Sequence, residues 1–424
     1  MIPNMTSPSG ASLSLRQIGS VLAVGLAARL LVLWHVVHSL SAAWFFHRGT
    51  EMGFLAQSLL GGRGLSSPFG GFTGPTAFIA PGYPLFVSLI FMLFGSYTSA
   101  SAIVLMTINA ALNLLSIVLI MRLALRLSNA RTAILAGGFW AVSLPLIWMP
   151  TIFWETSFSC CIMVASLEFA LRLERASSNR GFVLAGACIA VAGLINPALL
   201  PMLLAMLSWV AYQSRRVRRN GLPLALLALA IVFSPWPVRN ARVFHAFIPL
   251  RSTVGFEMWM GNRPQATGYL DESLFPTFNA AELREYVRVG EVAYVGQKSA
   301  AARQYIVSHP LAFLSLSLRR LVRFWTGSGT NGGSPIFILH ACITSLLGMI
   351  GIGLAARRQP SMVLLSSLAL LFFPLPYYMT HAEFRYRLIV DPLLTVFAAY
   401  AVTRWTERMA EARGKRSEAV AAIR

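Results

Sequence analysis

The feature that most limits this chain is a recurrence. Apolar runs of about 20 residues, the length that spans the hydrocarbon core of a bilayer, follow one another from residue 15 to residue 405, separated by short arginine-bearing stretches. Runs of that length read as membrane-spanning helices, and their number makes the chain polytopic. Composition closes off the other classes. Of 424 residues, 56% are apolar and only 12% charged, against roughly a quarter charged in soluble domains, which excludes an ordinary globular chain, a disordered one and a conventional multidomain enzyme. The net charge of +20 would suggest nucleic acid in a soluble protein. Here the basic residues stand at the ends of apolar runs, where anionic headgroups and topology determinants sit, so membrane lipid is the expected partner and nucleic acid is not. Cys160, Cys161, Cys188 and Cys342 all fall inside apolar runs without C-x-x-C spacing and read as small packing residues.

The candidate spans are 16–40, 99–122, 132–150, 153–172, 181–196, 197–213, 222–238, 336–356, 361–378 and 386–405, with a further apolar stretch at 80–95. Arg16 precedes a largely apolar run with no small-residue cleavage pattern at its end, so the first run is expected to stay as a helix. If 80–95 lies along the membrane surface, every short arginine-rich loop falls on one side: Arg16, Arg122 to Arg131, Arg172 to Arg180, Arg215 to Arg219, Arg357 with Arg358, and the tail. The positive-inside rule makes that side cytoplasmic. The expectation is an all-α integral membrane fold with about ten transmembrane helices and both termini inside. It divides into an N-terminal transmembrane module, 1–238, containing a first outward loop at 41–98 with juxtamembrane helices; a long outward loop, 239–335; a C-terminal transmembrane module, 336–405; and a basic cytoplasmic tail, 406–424. The long loop carries the one dense stretch of soluble-type sequence, with a helical pattern over 280–308. It ends in an amphipathic helix at 310–325, where Arg319, Arg320 and Arg323 alternate with Leu and Phe, as in helices that lie on a membrane. The Pro/Gly-rich breaks at 61–74 and 327–335 read as loop.

Ionisable residues at a membrane boundary are costly, which makes each a functional candidate. Glu51, just before a short amphipathic helix, is either a solvated acid favoured by the helix dipole or a working carboxylate. Glu155 opens the fourth span and has the same two readings. Taken together, two carboxylates at the outer face could supply a general base and a second acid or cation ligand. With no His/Cys cluster at ligand spacing, a dedicated zinc site is not supported. Arg239-Asn240 after the seventh span, and Arg385 with Arg387 before the tenth, are arginines that topology does not require. Their forks match lipid phosphate, while single boundary arginines also snorkel to ordinary phospholipid. Asp391, two turns into the tenth span, is expected to pair with an arginine or a backbone donor. Arg29, deep in the first span, needs a partner that the sequence does not name.

At this point the residues resemble the C-type (GT-C) membrane glycosyltransferases, in the bacterial branch of protein mannosyltransferases, aminoarabinose transferases and lipopolysaccharide galacturonosyltransferases. The likeness runs over most of the chain. Thr50-Glu-Met-Gly-Phe54 with the glycine turn to Gly64, then Pro81-Gly-Tyr83-Pro84, is similar to the family's acid, short helix and Pro-rich surface helix. Glu155-Thr-Ser-Phe158 is similar to its second acidic motif, and Pro235-Trp-Pro-Val-Arg-Asn240, Gly261-Asn262 and Arg385-Tyr-Arg387 with Asp391-Pro392 to its later signatures. Many relatives carry an aspartate, often as an Asp-Glu pair, where this chain has Thr50-Glu51. The resemblance implies a hexosyl or pentosyl transfer from a polyprenyl-phosphate-sugar donor to an acceptor glycolipid, glycan or protein. It places the active site on the periplasmic, outer side of the cell inner (plasma) membrane. By that analogy Glu51 is the general base of an inverting reaction; Arg385 and Arg387, then Arg239 with Asn240, and Tyr83, bind lipid phosphate or substrate; and Glu155 positions a substrate or holds a divalent cation if one is used. A flippase or transporter of a lipid-linked intermediate, and a glycan polymerase or ligase using lipid-linked substrate, are the alternatives. No inverted repeat of the kind that builds transporters stands out in the sequence.

Overall fold

The computed structural model describes residues 12–47, 49–214, 218–327 and 334–423, with side chains described outside 218–219 and 415–423. Arg215 and Arg216 of the expected basic face, residues 328–333 of the expected Gly/Pro break, and Arg424 lie outside the described residues. Every expected span is a helix or a bent pair of helices. The order is α1 (Leu15–Ser39), α2 (Ala42–His47), α3 (Thr50–Leu60), α4 (Gly82–Phe94), α5 (Ser99–Leu127), α6 (Ala130–Val142), α7 (Leu144–Trp148), α8 (Thr156–Arg175), α9 (Asn179–Ile195) and α10 (Leu200–Gln213). It continues with α11 (Arg218–Phe233), α12 (Pro235–Phe244), α13 (Val254–Gly261), α14 (Ala280–Val289), α15 (Glu291–Ser308), α16 (Pro310–Thr326), α17 (Pro335–Ala355), α18 (Pro360–Phe372), α19 (Leu375–Met379) and α20 (Phe384–Ile423). Among the described residues there is no strand, and outside the helices Ser66 and Pro75 form an isolated bridge.

Among the described residues, six helices are long and apolar enough to cross a membrane, or eight when the pairs α6–α7 and α11–α12 each count as one span. Those pairs bend by 60° and 44° where prolines enter, Pro145 at the start of α7 and Pro235 at the start of α12, since proline cannot donate to the preceding turn. The remaining expected crossings, α9 and α10, are shorter apolar helices. The 80–95 stretch forms α4, 13 residues long, which at 1.5 Å per residue covers about 20 Å, short of the roughly 30 Å hydrocarbon core.

Two cores organise the chain. The larger fills the bundle, where α5 and α20 pack on each other and on α6 and α8, around Ile120, Trp140, Leu167, Leu393 and Phe397. The second caps one end, joining residues of the 41–98 segment to α13, α14 and α15 through Phe45, Phe69, Phe78, Phe153, Phe256, Tyr286 and Tyr294. Glu291 ties the two halves of this cap together. Its carboxylate accepts from Thr76 Oγ1, the Ala77 amide (2.7 Å), Ser252 Oγ (2.8 Å) and the Tyr286 hydroxyl (2.7 Å).

Buried charge inside the bundle is matched by specific partners. Arg29, wholly buried, donates to Asn113 Oδ1 from Nε (3.0 Å) and Nη2 (2.6 Å), and to the carbonyls of Gly25, Trp140 and Ala141. Its unnamed partner is therefore a neutral amide and helix carbonyls, not a carboxylate. Asp391 pairs with Arg387 (2.5 Å) and His340 (3.1 Å), as an acid at that depth requires. The cysteines are mixed: Cys160 and Cys161 are buried, Cys342 is half-buried, and Cys188 is exposed on α9. The face of α16 carrying Leu311, Leu314, Leu318 and Val322 is exposed. Arg320 on the opposite face turns inward to Asn262 and the carbonyls of Gly261, Tyr378 and Met379, so only part of the expected arginine stripe faces out.

Candidate active site

A cavity of about 580 Å³ lies where the cap meets the bundle, and Glu51, Glu155 and Arg385 all line it. Glu51 enters through the first turn of α3. That turn starts at Gly49, whose missing side chain is required by close approach: a Cβ there would fall 2.1 Å from the Phe153 carbonyl oxygen. The contact sets the start of α3 against the strandless segment that leads into α8, so the acid of one and the acid of the other come to the same cavity. Glu51 is buried, with Thr50 Oγ1 at 3.3 Å. Burial pushes its carboxyl above the usual carboxylate range, against the pull of its own backbone amide, Arg385 and Thr50, and a carboxylate raised in this way is a stronger base. Glu155 occupies the N-cap position of α8 without bonding the helix amides, and its buried Oε2 has no hydrogen-bond partner among the described residues.

Arg385 lies in the first turn of α20. Its Nε donates to Glu383 (2.5 Å) and its Nη2 to the Tyr386 hydroxyl (3.0 Å), and the guanidinium stacks over Trp154 at 4.1 Å. Its charge acts on Glu51, Glu155 and Glu257. The same wall holds groups that sequence reasoning did not select: Arg251, Glu257, Glu272, His381 and Glu383. His381 Nδ1 lies 3.0 Å from Glu257 Oε2, and its Nε2 contacts the Tyr386 hydroxyl at 3.0 Å. Burial opposes ionisation of Glu257, but His381, Arg251 and Arg385 hold it below the usual carboxylate range. The available signal was weak: Glu257 is one acid in an otherwise apolar octet, and His381, Glu383 and Arg385 crowd five residues.

The other expected site residues do not line this cavity. Arg387 is fully buried and spent on Asp391, Thr344 (2.9 Å) and Ser345 (3.0 Å). Two residues apart on a helix do not share a face, so placing Arg385 in the cavity sends Arg387 into the bundle. Arg239 donates to the carbonyls of Thr76 and Leu65 (2.7 Å each) and to Asn240 Oδ1 (3.0 Å), pinning the glycine-rich loop, and Asn240 bonds the Ile248 carbonyl. Tyr83 is buried against Phe86, Phe153 and Phe158, beneath the site. Among the described residues no three His, Cys, Asp or Glu side chains form a ready-made metal site.

With this geometry in view, the class is that of the polytopic membrane proteins with the GT-C glycosyltransferase fold. Residues 79–238 match the family model of dolichyl-phosphate-mannose-protein mannosyltransferase. The chain is similar to the oligosaccharyltransferase of Archaeoglobus fulgidus in the apo form, with 16% identity and a TM-score of 0.55, covering 95% of this chain and 52% of that one. Against the same enzyme tethered with an acceptor peptide containing the NVT sequon, the values are 16%, 0.52, 94% and 50%. The chain thus spans about half the length of that archaeal enzyme. ArnT from Cupriavidus metallidurans, bound to undecaprenyl phosphate, is similar at 15% identity and a TM-score of 0.38, covering 91% of this chain and 78% of that one. No curated sequence relative matches.

Proposed function

We propose that this chain transfers a hexosyl or pentosyl group from a polyprenyl-phosphate-linked donor to an acceptor hydroxyl, with inversion at the anomeric carbon. In this reading the cavity opens on the periplasmic, outer side of the cell inner (plasma) membrane, with both termini cytoplasmic. The observation that carries it is a buried carboxylate, Glu51, sharing one cavity with a guanidinium, Arg385. The family match over 79–238, named for a lipid-phosphate sugar, supports the donor class.

The chemistry follows from the two groups. Glu51 takes the proton of the acceptor hydroxyl as its oxygen bonds to the anomeric carbon. The bond from that carbon to the phosphate oxygen breaks, and its electron pair leaves with polyprenyl phosphate, which gains a unit of negative charge. Arg385, already at the cavity wall, stabilises that growing charge. Glu155 positions the acceptor or donor, or would hold a divalent cation if one is used. Mass spectrometry of lipid-linked sugars and envelope glycans from source cells tests the reading. Glu51→Gln should lower transfer by about 10²–10⁴-fold, the usual worth of a general base, so that one polyprenyl-phosphate sugar accumulates and one glycan mass disappears. Unchanged pools with a folded, abundant variant would remove Glu51 from the base role and bring forward a transporter or an arginine-driven ligase.

A further inference from the structure

A second cavity, of about 710 Å³, runs between α8, α9 and α10, with Leu119 of α5 and Val232 of α11 at its edges. It follows α8 from Phe158 to Leu173, a rise of about 22 Å at 1.5 Å per residue, and Cys188 and Val191 are exposed at its rim, so it is a long apolar groove open to the side. Its charged lining side chains are Glu168 and Arg172, both toward the end of α8 farthest from Glu155.

At that end one carboxylate oxygen, Glu168 Oε1, is shared by three arginines: Arg172 at 2.8 Å, Arg126 at 3.2 Å and Arg122 at 3.6 Å. Glu174, the next acid on the helix, is turned to Ser361 (2.7 Å). The cluster therefore holds more positive than negative charge, and within it the buried Arg126 Nη1 and Glu168 Oε2 both lack a hydrogen-bond partner among the described residues. A topology signal accounts for arginines at helix ends. It does not account for an apolar groove whose lining ends on Glu168 and Arg172, the pair through which Arg122 and Arg126 join the cluster.

We propose that the groove and the arginine cluster bind one anionic phospholipid of the leaflet opposite the candidate active site. One acyl chain lies along α8, and the headgroup phosphate accepts from Arg172, the arginine lining the groove, while Arg122 and Arg126 behind Glu168 add positive charge. Basic pockets between transmembrane helices recognise anionic headgroups in this way. The polarity of the groove selects this occupant over the sugar donor: a donor chain descending from the cavity at Glu51 would bring its hydrocarbon end, not its phosphate, against the arginines.

Native mass spectrometry of the full chain released from nanodiscs of equal parts phosphatidylcholine and phosphatidylglycerol tests this. One phosphatidylglycerol per chain should be retained in preference to phosphatidylcholine. The preference should fall about tenfold or more in Arg126→Gln/Arg172→Gln, the equivalent of at least one lost hydrogen bond to a charged group. Ala165→Phe, which fills the groove at mid-height and leaves the arginines in place, should expel the same lipid even if the double variant folds poorly. Equal retention of both lipids, or retention of phosphatidylglycerol unaltered in either variant, overturns the proposal. So does loading with polyprenyl phosphate that displaces phosphatidylglycerol and is insensitive to the arginine substitutions.

Discussion

Arg387→Met separates the two arginines that the sequence presents as a pair. In the folded chain Arg387 and Asp391 are both without solvent exposure, 2.5 Å apart, so solvent screening takes nothing from the interaction. Removing the guanidinium leaves Asp391 with His340 and Thr344 alone and deprives Thr344 and Ser345 of their donor. Breaking one side of such a buried pair costs about 3–5 kcal/mol. At roughly 2 °C per kcal/mol for a large chain, the unfolding midpoint in detergent should drop by about 6–10 °C. Arg387→Met/Asp391→Leu, which removes both charges, should recover most of that loss, because a buried pair contributes little net stability over an apolar substitute. Arg385→Met, by contrast, removes a guanidinium whose ion pair with Glu383 is partly solvent-exposed, so it should lower the midpoint less than Arg387→Met does while lowering the turnover of lipid-linked sugar. The assay is a pair of thermal scans and a transfer rate for each variant. A stable Arg387→Met protein with a raised KM for the lipid-linked donor would refute the argument and return Arg387 to the phosphate.

Two further outcomes follow from buried carboxylates. Glu291→Ala strips four donors of their acceptor at the joint of the cap, and hydrogen bonds to a charged group contribute about 1.5–3 kcal/mol each; limited proteolysis of residues 61–80 should become faster well before the bundle melts. For Glu51 the sign is worked from its raised carboxyl. The folded state holds the proton more tightly than the unfolded one, so this group's contribution to stability is complete below the ordinary carboxylate range and is lost as pH rises through the elevated folded value. Glu51→Gln should therefore unfold no lower than the parent chain at neutral pH, while the parent's kcat/KM rises with pH to a plateau above the ordinary carboxylate range. A variant that is both inactive and unstable would mean that Glu51 supports the fold instead of the reaction.

The bundle was legible because hydrophobicity at spanning length is a local property of the sequence: each apolar run became a helix or a bent pair. The bends themselves were not, since hydropathy is blind to direction and only Pro145 and Pro235 mark the turns. Glu51, Glu155 and Arg385 could be found because acids and unexplained arginines are scarce near the spans. Glu257 and Arg251 could not, because in the soluble-type segment a charged residue is unremarked, nor could His381, which only the approach of Glu257 and Asn262 to the segment between α19 and α20 brings to them. The Arg387–Asp391 pair was readable as an i, i+4 contact on one helix; what spacing two residues apart did not convey is that Arg385 alone of the two arginines lines the cavity. Asn113, the partner of Arg29, is neutral and sits in an apolar run, so nothing in its surroundings sets it apart.

That last pair bears on how the chain is made. Arg29 enters the bilayer with α1, near mid-helix, where an arginine costs about 2.5–3.5 kcal/mol to insert. Asn113 and the carbonyls of Trp140 and Ala141 that satisfy it are synthesised 84 to 112 residues later, a delay of roughly 4–22 s at 5–20 residues per second. Ribosome-bound intermediates truncated before and after α5 should differ in how readily α1 is extracted, and equal extraction would count against the idea. The first helix is in this sense a provisional tenant of the membrane, held in place by a segment that has not yet been translated when it arrives.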